Sequence, residues 1–163
     1  MIRARHALIL AAGLFLAATI RDSADAWIDA TVLPPLTPET STLVLDRQDK
    51  LLRAYTVADG RWRLAVTPDQ VDPAFATALM AYEDKRFLSH TGVDGRALAR
   101  AVAQALWHGR VVSGGSTLTM QVARLLEEGT TGEVAGKLRQ MRVAWALERR
   151  LTKEEILGIY LLL

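Results

Sequence analysis

Glu83-Asp84-Lys85-Arg86-Phe87-Leu88-Ser89-His90-Thr91-Gly92-Val93-Asp94 and Gly114-Gly115-Ser116-Thr117-Leu118-Thr119-Met120-Gln121 are the two stretches on which the reading of this chain turns. The first crowds carboxylates, an aromatic, a histidine and a glycine at one helix end, and the second is a glycine-rich turn that opens another helix. Together they read as the walls of an active-site cleft. Phe75, Leu79 and Tyr82 recur at i, i+4 and i+7 and predict an apolar stripe on a helix that ends near Glu83. A carboxylate at that position is partly desolvated, a setting suited to general acid or base work. Taken alone it reads more readily as a surface glutamate paired with Lys85 or Arg86, or as a helix-end carboxylate bonding the loop. His90 taken alone reads as a packed or loop-bonding side chain, and Phe87 as core.

The Gly114-Gly115-Ser116-Thr117 turn places free backbone N–H groups and a helix dipole where an anion can bind, although Ser and Thr also simply cap helices. Along the helix it opens, Thr117, Gln121, Arg124 and Glu128 share one face, and Leu118, Val122 and Leu125 hold the other. Lys137, Arg139 and Arg142 crowd the start of the following helix opposite Leu138, Met141 and Trp145. Such a run is either a solvated face or a set of cations converging on an anionic ligand, for which guanidinium groups offer a bidentate fork. With the helix N-terminus nearby, a lipid-linked diphosphate suits it. Nucleic acid does not, because no aromatic residues interleave with the basic ones.

The 163 residues, half of them hydrophobic, can bury one sizeable core. The absence of cysteine excludes disulfides and thiolate metal sites, and three scattered histidines argue against zinc. Net charge is only +2, but Lys137, Arg139, Arg142, Arg149 and Arg150 are opposed by Glu148 alone, which makes that segment locally cationic. At the N-terminus Arg3, Arg5 and His6 precede the uncharged run Ala7–Ile20, the pattern of a signal anchor or of a signal peptide cleaved at Ala24-Asp25-Ala26 over residues 1–22. Either form exports the rest of the chain, with the basic start inside. Residues 23–41, with Pro34, Pro35 and Pro38, read as a linker, and residues 42–163 as one folded domain. Leu43–Leu45, Leu51–Val57 and Trp62–Val66 predict a small three-run β-meander, and helices are expected over Ala97–Trp107, Thr117–Glu127, Lys137–Arg150 and Lys153–Leu161, broken at Gly92, Gly114-Gly115 and Gly129.

Glu83-Asp84 with Phe87, His90, Gly92 and Asp94 resembles the first motif of glycosyltransferase family 51, the peptidoglycan glycosyltransferase domain of class A penicillin-binding proteins. Gly114-Gly115-Ser116-Thr117-x-Thr119-x-Gln121 resembles its second motif, Lys137–Glu148 its third, and Lys153-x-x-Ile156-Leu157-x-x-Tyr160-Leu161 its fourth. Met120-Gln121-Val122-Ala123-Arg124 is most similar to the penicillin-binding protein 1C branch. The resemblance implies a mainly α, lysozyme-like fold on the outer, periplasmic side of the bacterial cytoplasmic membrane, which polymerises lipid II into the growing glycan strand with inversion. On this resemblance Glu83 is the catalytic base, and Asp84, His90, Ser116, Thr117, Gln121, Arg124, Lys137 and Gln140 bind substrate, with Lys137 and Arg124 at the diphosphate. Cell-wall synthesis proteins are its expected partners; no cofactor is evident, and room is left for a divalent cation.

Three features depart from that pattern. Gln140 stands where the family usually holds a second glutamate, Tyr160-Leu161 runs into Leu162-Leu163 where an asparagine is usual, and the fifth motif region is absent, as in a domain truncated at its C-terminus. No Ser-x-x-Lys or Lys-Thr-Gly supports transpeptidase chemistry. The rival readings are a non-catalytic remnant that binds lipid-linked substrate or cell-wall partners and, ranked last, a lysozyme-type glycan-cleaving enzyme, which needs two suitably placed carboxylates.

Overall fold

Thr117 begins the helix around which the others are arranged. Its hydroxyl accepts the Met120 amide hydrogen at 3.1 Å, satisfying one of the N–H groups that a first turn leaves unpaired. Helix α4 follows over Leu118–Leu126, with Leu118, Thr119, Met120, Val122 and Ala123 all buried. The computed structural model describes residues 2–110, 114–127 and 134–163. Among these the order is α1 (Ile2–Asp29), β1 (Leu43–Leu45), β2 (Leu51–Ala54), α2 (Pro73–Glu83), α3 (Gly95–His108), α4, α5 (Val134–Arg150) and α6 (Lys153–Leu162), with short 3₁₀ turns at Pro68–Gln70 and Phe87–Ser89. The architecture is mainly α with a small two-stranded sheet. Contacts divide it into two units, Met1–Val32 and Leu33–Leu163.

In the first unit, α1 contains a span of 26 residues, Ala4–Asp29, within which an 18-residue window has a mean hydropathy of 1.5. At 1.5 Å per residue that is roughly 39 Å, long and apolar enough to cross a membrane. Its hydroxyls are satisfied within the helix: Thr19 donates to the Phe15 carbonyl at 2.8 Å and Ser23 to that of Thr19 at 2.8 Å. The helix continues to Asp29, through residues whose composition alone suggested a linker.

The second unit is built on α4, α5 and α6. Phe87, Leu118, Val122, Ala123, Val143, Leu147 and Ile156 form its core, with Met80, Leu126 and Tyr160 packed at the margin. Only Leu151 and Thr152 separate α5 from α6. Thr152 and Glu155 form a capping box that starts α6, the Thr152 amide donating to the Glu155 carboxylate at 2.7 Å and the Glu155 amide to the Thr152 hydroxyl at 3.2 Å. A polar bridge ties these helices together: Glu148 accepts from the Thr119 hydroxyl at 2.7 Å and from the Lys153 ammonium at 2.6 Å. That ammonium also lies over the Phe87 ring, 4.5 Å from its centroid.

Two expectations are corrected. The meander has two strands, paired antiparallel with Leu43 opposite Ala54, and the run Trp62–Val66 forms no strand. It is tied to the segment just before β1, where the Ser41 amide donates to the Arg63 carbonyl at 2.8 Å and the Arg63 amide to the Ser41 hydroxyl at 2.9 Å. A side-chain hydroxyl takes the hydrogen bond that the next rung of a ladder would need, so pairing does not propagate. The second correction is the stripe on α2: Phe75 and Tyr82 are exposed, and Leu79 and Met80 are the half-buried positions.

Gly92 is where the first motif meets α5. Its φ is +93°, and a Cβ built there would lie 2.7 Å from the Ala144 carbonyl oxygen. Gly92→Ala is therefore expected to cost about 2 to 4 kcal/mol, from the left-handed conformation and from displaced helix backbone together. Urea unfolding of the parent and the variant checks this, and a midpoint unchanged by the substitution would contradict the packing described.

Candidate functional site

Glu83 is the last residue of α2, and Asp84 caps it, the Asp84 amide donating to the Met80 carbonyl. Consecutive residues there turn opposite ways. Asp84 is buried, and its Oδ2 accepts from the Leu118 amide at 3.0 Å and from His90 Nε2 at 2.9 Å. A carboxylate can only accept, so Nε2 carries the hydrogen. His90 Nδ1 is buried without a partner among the described residues, and the ring stands edge-on to Phe87 at 6.3 Å. Asp84 and His90 thus belong to the interior, where two donors offset the cost of burying the carboxylate.

Thr117 is likewise interior, only 1% exposed. Besides capping α4, its hydroxyl donates to the Gly92 carbonyl at 2.5 Å. This corrects its expected place on the groove: both its hydrogen-bonding functions are used inside the fold. Gly115 presses against α3, since a Cβ there would be 3.1 Å from Leu98 Cα.

Glu83 is half-buried and accepts from the Gln121 side-chain amide at 2.9 Å across 38 residues of sequence. Its other oxygen takes no hydrogen bond among the described residues. One turn along α4 from Gln121 stands Arg124, which has no hydrogen bond or ion pair among the described residues. The Lys137 ammonium donates to the exposed Ser116 hydroxyl and, at 3.4 Å, to the buried Gln140 side-chain oxygen. Burial, and then the Arg124 guanidinium, hold the Lys137 ammonium below its ordinary pKa. Tyr160 completes the group: burial and the charge of Glu83 push its phenol up, while Arg124 opposes them. Through these hydrogen bonds and charge effects Glu83, Gln121, Arg124, Lys137, Ser116, Gln140 and Tyr160 form one polar cluster that carries a carboxylate and two cations.

Of the positions expected from sequence, Glu83, Ser116, Gln121, Arg124, Lys137 and Gln140 come together here, and Asp84, His90 and Thr117 lie behind them. Glu128 and Gly129 fall outside the described residues. Tyr160 was not expected at the site; its signal was the i, i+4 spacing from buried Ile156. The cationic segment is partly neutralised from outside, since Arg139 pairs with Glu127 of α4 at 3.1 Å, whereas its own Glu148 is committed to Lys153. Among the described residues no three His, Asp or Glu side chains are grouped to hold a metal ion.

A family described as Transglycosylase matches residues 48–162, a stretch that contains every member of this cluster. The chain belongs to the transglycosylase family. Penicillin-binding protein 1C of Escherichia coli strain K12 is 50% identical to it over 107 residues, 66% of this chain and 14% of that protein. Penicillin-binding protein 1A of the same organism is 35% identical over 137 residues, 79% and 16% of the two chains. The biosynthetic peptidoglycan transglycosylase of Nitrosospira multiformis is 33% identical over 124 residues, 76% and 54%. The chain therefore spans 14% to 54% of the length of these relatives.

In this family member the loop after α2 is braced by charge. Arg86 Nε donates to Asp94 Oδ2 at 2.9 Å and Arg86 Nη2 to Oδ1, while Asp94 caps α3 by accepting the Arg96 and Ala97 amides at 3.0 Å each. The Arg86 guanidinium, helped by those amides against burial, holds the Asp94 carboxyl down from 3.8 to about 2. A depressed carboxyl stabilises the fold above its ordinary value and loses that contribution as pH falls from about 4 to about 2. Asp94→Asn retains a good cap but removes the ion pair. It is expected to lose about 1 to 3 kcal/mol at neutral pH and to flatten the acid limb between those values. Unfolding measured from pH 7 down to pH 2 tests both effects.

Proposed function

We propose that this chain is a peptidoglycan glycosyltransferase that polymerises lipid II, acting at the bacterial cytoplasmic membrane with Leu33–Leu163 on the outer face and α1 as its anchor. The observation that carries the reading is a half-buried carboxylate, Glu83, hydrogen-bonded to Gln121 on the helix whose next turn carries Arg124, with Lys137 near enough to Arg124 to feel its charge and bonded to Ser116 of the glycine turn. Transfer from a lipid-linked diphosphate needs these two elements: a base for the incoming hydroxyl and positive charge for the departing diphosphate. Membership of the transglycosylase family supports the reading. So do the names of the relatives, one of them a biosynthetic peptidoglycan transglycosylase.

On this proposal Glu83 removes the proton of the acceptor hydroxyl as that oxygen attacks the anomeric carbon of the donor. Gln121 orients the base by donating to one carboxylate oxygen, which leaves the other for the acceptor. Lys137 and Arg124 take the negative charge that develops on the leaving diphosphate, with Ser116 and Gln140 aiming the ammonium. A diphosphate beside Lys137 would restore the ammonium's ordinary basicity, because burial and a like charge are what lower it. Asp84, His90 and Thr117 act as positioning residues that fix the start of α4 relative to Glu83.

The decisive experiment supplies lipid II to the full chain in lipid and follows glycan strand length. Polymerisation is expected, and Glu83→Gln is expected to lower its rate by about 10²- to 10⁴-fold. A variant that keeps most of the parent rate removes Glu83 from the role of base. If the parent binds lipid II but makes no strand, the chain is a lipid-linked substrate binder instead.

The cations are tested by binding. Lys137→Ala and Arg124→Ala should each weaken the phosphoglycolipid moenomycin by about 1.5 to 3 kcal/mol, the value of one charge-assisted contact. Arg61→Ala, in the loop before Trp62, serves as control and should leave affinity unchanged. Titration calorimetry with equal affinity across all three variants and the parent would show that the two cations are not a diphosphate site.

A further inference from the structure

On the other side of α6 lies a groove that the proposed reaction does not use. Leu36, Val66, Pro68, Leu151, Ile159 and Leu162 supply its apolar floor, Gly158 opens its middle, and its volume is about 510 Å³, within the usual range of ligand and side-chain pockets. Glu155, Gly158 and Leu162 recur at helical spacing, so one stripe of α6 forms the wall, with Leu151 of the preceding turn beside it. Tyr160, at the polar cluster, lies two residues from both Gly158 and Leu162, about 200° around the helix, so groove and cleft occupy opposite faces.

The charges around the groove are all of one sign. Asp69, Glu154 and Glu155 line it, and among the described residues no Lys, Arg or His does. Glu155 is occupied with the Thr152 cap. Asp69 and Glu154 are exposed and make no hydrogen bond or ion pair among the described residues. Apolar floor and unpaired carboxylates together specify an occupant with an apolar ridge flanked by cations. We infer that this groove docks a basic amphipathic helix of a partner protein, seated against α6 between Glu154 and Asp69. A second copy of this chain fits less well. The cationic groups of its α5 are already engaged, Arg139 with Glu127 and Arg142, Arg149 and Arg150 in interactions of their own.

The full chain in zwitterionic lipid nanodiscs tests this with two labelled 14-residue probes, one amphipathic helix of Lys, Leu and Ala and its counterpart with Glu for Lys. Fluorescence anisotropy should detect the lysine probe and not the glutamate one, and empty nanodiscs provide the baseline for lipid binding. Glu154→Lys and Asp69→Lys should each weaken the lysine probe by about tenfold, since each turns an attraction into a repulsion. Gly158→Leu should abolish binding by filling the floor. A Cβ there meets only Pro68, at an ordinary 3.5 Å, so the helix itself is not strained. Unchanged melting temperatures for these variants confirm intact folding; where one variant unfolds, the other two decide. A saturating amount of moenomycin should leave probe binding unaltered, and this readout holds whether or not the chain polymerises lipid II. The inference is overturned if the probe binds parent and variants equally, if it binds only the lipid, if neither probe binds, or if cross-linking places two copies of the chain in the groove.

Discussion

The buried carboxylate of Asp84 is the constraint on which the site depends. It joins the end of α2 to the start of α4 through the Leu118 amide and holds the loop between them through His90. A buried carboxylate without donors is costly by several kcal/mol, so the two helix ends cannot separate without exposing or stranding that charge. Glu83 and Gln121 sit one residue and three residues away from the atoms so joined. Their 2.9 Å hydrogen bond is a consequence of this junction, not its cause.

A second junction reinforces the first. The Gly92 carbonyl accepts from Thr117, while the absence of a side chain at Gly92 lets the same loop lie against the Ala144 carbonyl of α5. The loop after α2 is thereby clamped between the N-terminus of α4 and the middle of α5. Lys137, three residues into α5 from Val134, is placed by that packing beside Ser116 and Arg124. Bringing two cations together in a half-buried place is unfavourable by itself, and burial and then the Arg124 charge hold the Lys137 ammonium below its ordinary pKa. The core made by Phe87, Val122, Val143 and Leu147 must sustain it, which is the usual relation between a preorganised charged site and the fold that carries it.

Much of the fold was legible locally. The turn at Gly114-Gly115-Ser116-Thr117 and the helical pattern of Lys153–Leu161 located α4 and α6 to within a residue or two, because a helix start and a stripe are properties of neighbouring residues. The β-meander was misjudged for a related reason: Trp62–Val66 has strand composition, but its pairing depends on Ser41, twenty-two residues away, whose hydroxyl captures the Arg63 amide. The stripe on α2 was placed too far round the helix, since periodicity alone does not say which of two adjacent apolar rows, Phe75–Leu79–Tyr82 or the one through Met80, meets the core.

The same distinction separates what sequence and tertiary structure each determined about the site. Sequence by itself determined the residue types, their order in four motifs and the helices that carry them, and these suffice to place the chain in the transglycosylase family. Which polar side chains face the cleft and which face inward was decided only in three dimensions. Asp84 and Glu83 are adjacent and alike in chemistry, yet one is sealed against Leu118 and the other shares a hydrogen bond with Gln121. Thr117 and Gln121 share a helical face, yet only Gln121 belongs to the polar cluster, because Gly92 covers the first turn of α4. Helical periodicity fixes which residues lie on one side of a helix; what covers that side depends on contacts between segments distant in the chain.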